Sequence, residues 1–332
     1  TRRLPLLAPL PAETVERKSA AGRVLARPLR ATVDVPPADV SAMDGYVVGR
    51  QADAGESVKV AGTISAGDPP GFELPPGCAA RIMTGAPVPG GGDRVIRVEE
   101  TDGGDESVTF TGSPVAGDHI RRRGEILLSG DPLLPAGSLL TPGALSLLAT
   151  HGFRRVEVHR QPTVAVLTTG DEIIPPDTDP APGQIRDSHT DFLLAAGRTL
   201  GLELEPLGIA PDRPEELAEL IRQGLAADVL LLCGGVSMGE FDLVEGVLDR
   251  LGCTSLFDSV ALQPGKPLVA AHHPGGLVFG LPGNPASVMA CFWLFVRPAL
   301  RRLMGYEDGY WHGALGGKLV AELPGAKGRT RF

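Results

Sequence analysis

Three Gly-rich stretches, each behind a run of apolar residues, mark where this chain can do chemistry. Thr168-Thr169-Gly170-Asp171-Glu172 follows Thr163 to Leu167. Gly234-Gly235-Val236-Ser237, with Glu240 and Asp242 close behind, follows Val229 to Cys233. Pro282-Gly283-Asn284-Pro285 follows Leu277 to Leu281, and Asp212 trails a fourth run, Leu202 to Ile209. Gly-rich backbone and helix starts present N–H donors to an oxyanion. Carboxylates at 171, 172, 212 and 242 are hard oxygen donors, the kind that holds Mg²⁺ beside a phosphate.

Each feature also has a plainer reading. Asp212 can simply cap a helix opening at Pro214, Asp171-Glu172 can be a solvated turn, and paired glycines serve any tight bend. Arg121-Arg122-Arg123 reads as a solvated basic face. Lys266, in Pro264-Gly265-Lys266-Pro267, lacks the Ser/Thr and upstream Gly of a phosphate-binding loop. No G-x-G-x-x-G follows a strand, no H-E-x-x-H occurs, and the Cys spacing excludes a zinc cluster. Gly235-Val236-Ser237-Met238-Gly239 fits the nucleophile elbow of a serine hydrolase, with Asp258 and His272 downstream in the required order. That reading needs a helix directly behind Ser237, where Glu240, Phe241 and Asp242 intervene. It also leaves the β-rich first third without a role.

The elements that position these loops follow from periodicity. After Pro162, buried-strand patterns alternate with helical ones. Helices are expected from near Ser188 (Phe192, Leu193 and Ala196 on one face), over Pro214 to Ala226, over Leu243 to Leu251 and over Ala286 to Met304. Strands are expected at Thr163 to Leu167, Leu202 to Ile209, Val229 to Cys233, Leu268 to Ala271 and Leu277 to Leu281, with His272-His273 in a loop. Such alternation predicts an open parallel sheet with helices on both faces, whose ligands sit at the carboxyl ends of the strands. Earlier, from Ala31 to about Ser129, short β runs (Gly45 to Val48, Ser57 to Val60, Arg94 to Glu99, Ser107 to Thr111) alternate with Gly/Pro clusters, as in a small all-β module. Thr141 and Pro142 suit the N-cap and first position of a helix ending at Gly152. Pro11 to Ala20 is amphipathic.

The chain has 332 residues, 31 Lys+Arg against 40 Asp+Glu, and a net charge of −9. Length alone suggests two or three folding units. The acidic balance argues against nucleic acid or an anionic membrane as the main partner. The apolar run Val288 to Val296 is too short to span a bilayer. Prolines at 5, 9 and 11 break the superficially signal-like N-terminus. The absence of an initiator Met suggests a trimmed start. Cys78, Cys233, Cys253 and Cys291 form no C-x-x-C pair, which suggests reduced thiols and a cytoplasmic location.

Eight stretches, taken in order, resemble one family. They are Ser41-Ala42-Met43-Asp44-Gly45-Tyr46, Arg81 to Pro89 (RIMTGAPVP), Ile120 to Glu125 (IRRRGE), and Thr169-Gly170-Asp171-Glu172. Gly183 to Ser188 (GQIRDS), Gly234 to Glu240 (GGVSMGE), Pro264 to Pro267 (PGKP) and Leu281 to Pro285 (LPGNP) follow. Together they resemble the molybdopterin molybdenumtransferases, the MoeA / gephyrin E-domain family, over nearly the whole chain.

The resemblance implies an α/β multidomain protein. Its parts would be an open parallel three-layer α/β/α molybdopterin-binding domain (162–308), an inserted β-rich module (32–129) and a discontinuous helical/extended linker domain (1–31 with 130–161). A C-terminal β-barrel would be only begun at 309–332. The implied reaction inserts molybdenum from molybdate into adenylylated molybdopterin, releasing AMP with help from Mg²⁺. Acids carried over are Asp44, Glu172, Asp212 and Asp242, with Mg²⁺ assigned to Glu172 and Asp242. Substrate contacts carried over are Thr84, Gly85, Arg121, Asp187, Ser188, Gly234, Gly235, Ser237 and Lys266, and the turn Pro282, Gly283, Asn284 and Pro285. The family also implies a homodimer whose site combines two subunits, and contact with other cofactor-biosynthesis proteins or recipient molybdoenzymes. Three positions depart from the family pattern: Ile126 replaces an acid, His189 an Asn, and Gln263 a Lys. Ile126 opens a second reading, a catalytically weak paralogue that binds pterin or assists assembly.

Overall fold

The strand Val164–Thr169 is buried at every residue, as a strand covered on both faces must be. It lies second in a six-stranded sheet ordered Glu205–Ala210, Val164–Thr169, Val229–Cys233, Gly276–Leu281, Val269–His273, Thr254–Phe257. A computed structural model describes residues 7–49, 53–69, 71–112, 115–234, 243–307 and 328–331. Within it the chain divides into two compact units, one of residues 1–27, 136–149 and 153–332, the other of 28–135 with 150–152.

The first four strands of the large sheet are parallel, and their ends are level. Thr169 is opposite Ala210, Thr168 opposite Cys233, and Cys233 opposite Leu281. Side chains alternate between two cores. Val164, Val166, Val229, Leu231 and Cys233 face the helices His189–Arg198 and Pro285–Cys291. Ala165, Leu167, Leu230 and Leu232 face Pro214–Gly224 and Leu243–Arg250. The result is three layers, as the sequence predicts.

The sheet is not wholly parallel, however. Val269–His273 runs antiparallel to Gly276–Leu281, and Thr254–Phe257 antiparallel to Val269–His273. Only Pro274 and Gly275 separate the two paired strands, too few residues for a crossover helix, so a hairpin is the available connection. His272 and His273 are therefore strand residues rather than a loop.

The last helical run contains a widened π turn, Phe292–Val296, between Pro285–Cys291 and Arg297–Leu303. At the amino edge of the sheet Arg160 holds both oxygens of Asp228 at 2.7 Å, and the Thr163 N–H and hydroxyl also donate to Asp228. The amphipathic stretch near the N-terminus is a strand, Ala12–Glu16, paired antiparallel with Arg155–His159. Val24 and Leu25 bridge to Leu139 and Val158 in the same unit. Thr141 accepts the Ala144 N–H at 3.2 Å and opens the helix Pro142–Thr150. Of the expected barrel start at 309–332, only 328–331 is described, with Thr330–Arg331 parallel to Leu262–Gln263.

The smaller unit is built on a mixed five-stranded sheet ordered Arg94–Arg97, Gly45–Val48, Ala79–Ile82, Ser57–Ile64, Ser107–Thr109. Tyr46, Ile96 and Phe110 fill one face; Val47, Ile82 and Val95 fill the other. A two-stranded ribbon, Val40–Ser41 with Ile120–Arg121, stands beside it.

Candidate functional site

In the smaller unit three of the motif stretches meet. Asp44 Oδ1 accepts the Thr84 backbone N–H at 2.6 Å and the Thr84 hydroxyl at 2.7 Å. These two donors hold the exposed Asp44 carboxyl below the usual carboxylate range. The next amide, Gly85 N–H, donates to the Ser41 carbonyl at 2.8 Å, and Ser41 pairs with Ile120, directly before Arg121. Asp44, Thr84, Gly85 and Arg121 are thus brought together. Tyr46, from the same motif as Asp44, is core: its ring is fully buried and its hydroxyl donates to the Gly104 carbonyl.

The arginine triplet separates by partner. Arg122 pairs with Asp39 at 2.6 Å and Arg123 with Asp34 at 2.5 Å. Arg121 is exposed and has no side-chain partner among the described residues, so its guanidinium is the one open to a ligand. Glu125 Oε2 accepts the Arg122 N–H, closing the turn. Ile126 is 61% exposed and its N–H is bonded to the Val35 carbonyl.

In the larger unit the level strand ends carry further residues of the set, among those described. Asp171 N–H donates to Asp212 Oδ2 at 3.4 Å, and Asp212 N–H donates to Asp171 Oδ1 at 3.2 Å. This reciprocal clasp joins loops from two neighbouring strands. It also settles Asp212 against the capping reading, because the Pro214–Gly224 helix has no side-chain cap. Glu172 lies back over Gly170, where an added Cβ would come within 2.6 Å of its Oε2.

Asp187 is buried, and all its acceptor capacity toward protein goes to its own helix. Oδ1 takes the His189 and Thr190 N–H groups, and Oδ2 the Thr190 hydroxyl at 2.6 Å. Thr190 in turn contacts the Thr168 hydroxyl at 3.1 Å. Ser188 is exposed. Burial pushes the neighbouring His189 imidazole toward its neutral form.

Gly234 closes the Val229–Cys233 strand at φ +90°, with its N–H on the Leu281 carbonyl. A Cβ there would stand 2.5 Å from the Thr169 carbonyl oxygen. The Thr169 hydroxyl beneath it is buried with no hydrogen-bond partner. Asn284 caps the helix Pro285–Cys291, its side chain accepting the Ala286 and Ser287 N–H groups. Pro282 is buried, whereas Gly283 and Pro285 are exposed. Gly265 lies against Ser287 and Cys291 of that helix, and the exposed side chain of the adjacent Lys266 has no partner among the described residues. Gly235, Ser237 and Asp242 lie outside the described residues.

Comparison with known proteins now bears on these motifs. Residues 2–152 match the family model of the MoeA N-terminal region (domain I and II), and residues 165–302 match a "Probable molybdopterin binding domain". The chain belongs to the MoeA family. A molybdopterin molybdenumtransferase of Nostoc sp. is 40% identical over 308 residues, covering 90% of this chain and 71% of that protein. Molybdopterin molybdenumtransferase 2 of Mycobacterium tuberculosis is 36% identical over 334 residues, covering 96% and 82%. Among solved structures, a molybdopterin biosynthesis MoeA protein from Pyrococcus horikoshii superposes with a TM-score of 0.77 at 34% identity, covering 91% of this chain and 77% of that one.

Sequence reading passed over Thr190 and Asp191, which open the helix His189–Arg198. The Asp187-x-x-Thr190 spacing ahead of an apolar run was the available signal, since it is the spacing of a reciprocal helix cap. For Mg²⁺, the clasped pair Asp171 and Asp212 supplies hard carboxylate oxygens of the right kind. No group of three or more His, Cys, Asp or Glu side chains converges among the described residues. Mg²⁺ needs only one or two carboxylates when waters and substrate phosphates complete its shell, so the donor set fits. For the serine-hydrolase alternative, Asp258 accepts from Ser259 and His272 is paired in the edge hairpin. Among the described residues nothing joins the two into a triad. No helix among the described residues is long and apolar enough to cross a membrane.

Proposed function

We propose that this chain inserts molybdenum from molybdate into adenylylated molybdopterin and releases AMP, as a step of molybdenum cofactor biosynthesis. The observation that carries the reading is the clasp of Asp171 and Asp212 at the strand ends, beside the Gly234 turn. Its relatives bear the name of this transferase. Asp171 and Asp212 would hold Mg²⁺, with Glu172 and Asp242 as the further acids. When bound, the ion neutralises phosphate charge and polarises the bond to the leaving AMP. Lys266 and the Pro282–Pro285 turn receive anionic groups, and Gly234 allows backbone to approach them closely. Asp44, fixed by Thr84, and Arg121, unpaired among the described residues, supply a further acid and a cation.

The reading includes a homodimer with a site shared between subunits. It also includes a linker domain of residues 1–31 with 130–161, a barrel beginning at 309, and cytoplasmic action on behalf of recipient molybdoenzymes. Its test is direct. Purified protein, molybdate, Mg²⁺ and adenylylated molybdopterin should yield AMP beyond one equivalent and reconstitute an apo-molybdoenzyme. No AMP at high protein concentration overturns the proposal. Ile126→Asp separates the weak-paralogue reading. At an exposed position an acid is tolerated, and turnover should rise in a working transferase but stay at zero in a degenerate one.

A further inference from the structure

Asp171 and Glu172 sit on a short bridge of chain, and how its two ends are held decides where the acids lie. One end is the large sheet: Thr168 is paired with Ile209 and Cys233, and Thr169 with Ala210. Gly170 turns the chain away at φ +140°, with its N–H on the Ala210 carbonyl. The other end is a neck, where Ile173–Ile174 pairs in parallel with Ile185–Arg186. There the Ile185 N–H donates to the Glu172 carbonyl and the Asp187 N–H to the Ile174 carbonyl, both at 2.9 Å. Residues 175–184, between the paired strands, are exposed.

Side chains tie the neck back to the sheet. Thr190 donates its hydroxyl to Asp187 Oδ2 at 2.6 Å. A hydroxyl carries one proton, so at the 3.1 Å contact between Thr190 and Thr168 the Thr190 oxygen accepts and Thr168 donates. The relay runs from Thr168, the last residue but one of its strand, through Thr190 to Asp187, whose N–H holds Ile174. Thr168 is 1% exposed and Asp187 7%, so solvent is not at hand to replace a lost link.

The Thr190 hydroxyl is thereby withdrawn from any ligand. Thr190 lines a cavity of about 670 Å³ at these strand ends, together with four carboxylates (Asp171, Asp187, Asp191 and Glu216) and Arg213, which is paired with Glu216. Its proton is on Asp187 and it takes the Thr168 proton, so it acts through Asp187 rather than on a bound molecule. We propose that Thr190 is a positioning residue for the acids that would hold Mg²⁺. The relay fixes the neck, and the neck fixes the bridge that carries Asp171 into its clasp with Asp212. The role toward Mg²⁺ rests on the transferase reading, whereas the fixing of the bridge does not.

The test compares Thr190→Val, which keeps the shape and removes the hydroxyl, with Thr190→Ser, which keeps the hydroxyl. Hydrogen exchange of the full chain, followed by mass spectrometry, should speed about tenfold over 170–174 in Thr190→Val and stay unchanged over 229–233. The Mg²⁺ concentration for half-maximal AMP release should rise about tenfold, with the KM for molybdate unchanged. Thr190→Ser should restore both. Thr168→Val should reproduce Thr190→Val, and the double variant should be no worse than either alone, because each breaks the same relay. Four results would overturn the assignment: slow exchange over 170–174, exchange that speeds equally throughout the sheet, a serine no better than valine, or unchanged Mg²⁺ dependence in an active enzyme. Faster exchange over 170–174, rescued by serine, in a chain that releases no AMP at any Mg²⁺ concentration removes the transferase reading and leaves the positioning role standing.

Discussion

At the Glu205–Ala210 end of the large sheet's edge, both helix starts are occupied by their own acids, and the cavity between them is anionic. At the Gly276–Leu281 end, the helix from Pro285 is capped by the neutral Asn284 and has no acid in its first turn. Lys266, without a side-chain partner among the described residues, follows a residue packed against that helix. The strand ends are level, and at both the first helical N–H groups are capped or, at proline, missing, so the difference between the ends is one of side-chain charge: acids at one, a neutral cap and Lys266 at the other.

The largest effect expected on this division is at its boundary. Gly234→Val puts a Cβ against the Thr169 carbonyl and forces a β-branched residue to positive φ. It should cost about 3 kcal/mol or more, read as a lower denaturation midpoint together with loss of AMP release. Next, Lys266→Ala should raise the KM for molybdate about tenfold or more, whereas Asp191→Asn, at the acidic end, should leave it unchanged. Equal effects of the two variants would erase the contrast. A smaller change follows Asp187→Ala, which removes a helix cap worth about 1–2 kcal/mol. A drop in Tm of roughly 2–4 °C per kcal/mol should accompany it.

The smallest effect comes from the opposite edge, common to both ends. Arg160 lowers the Asp228 carboxyl to about 2 from its ordinary 3.8. A depressed folded-state value means stabilisation that is complete above pH 3.8 and lost as pH falls toward 2. The stability gap between wild type and Asp228→Asn, followed by urea unfolding from pH 5 to 2, should therefore shrink on acidification. A gap that widens refutes the assignment.

The sequence made legible whatever is locally periodic. The buried runs at Val164–Thr169 and Val229–Cys233, the helix opened by Thr141 and Pro142, and the helix Pro214–Gly224 all appear as expected. Ala79–Ile82 was not legible. Its Ala-Ala-Arg-Ile lacks a β-branched run, yet it sits centrally in the smaller sheet because its neighbours on both sides supply the pairing. Arg155–His159 escaped for a similar reason, its partner strand lying at Ala12–Glu16, far off in sequence. At the site, residue types could be picked out, but not which of three adjacent arginines is unpaired. Nor could sequence choose Asp171 over Glu172 as the acid that clasps Asp212, since side-chain direction at a loop is set by its tertiary neighbours.

The widened turn at Phe292–Val296 has a bearing on how the last helical run grips the sheet. Val288, Phe292, Val296, Leu300 and Met304 are all buried and recur at every fourth position. An ideal α-helix repeats every 3.6 residues, so each such step would rotate the apolar stripe about 40° out of phase. One turn of longer period resets that phase midway, letting five anchors keep a single bearing on the strands without any supercoil.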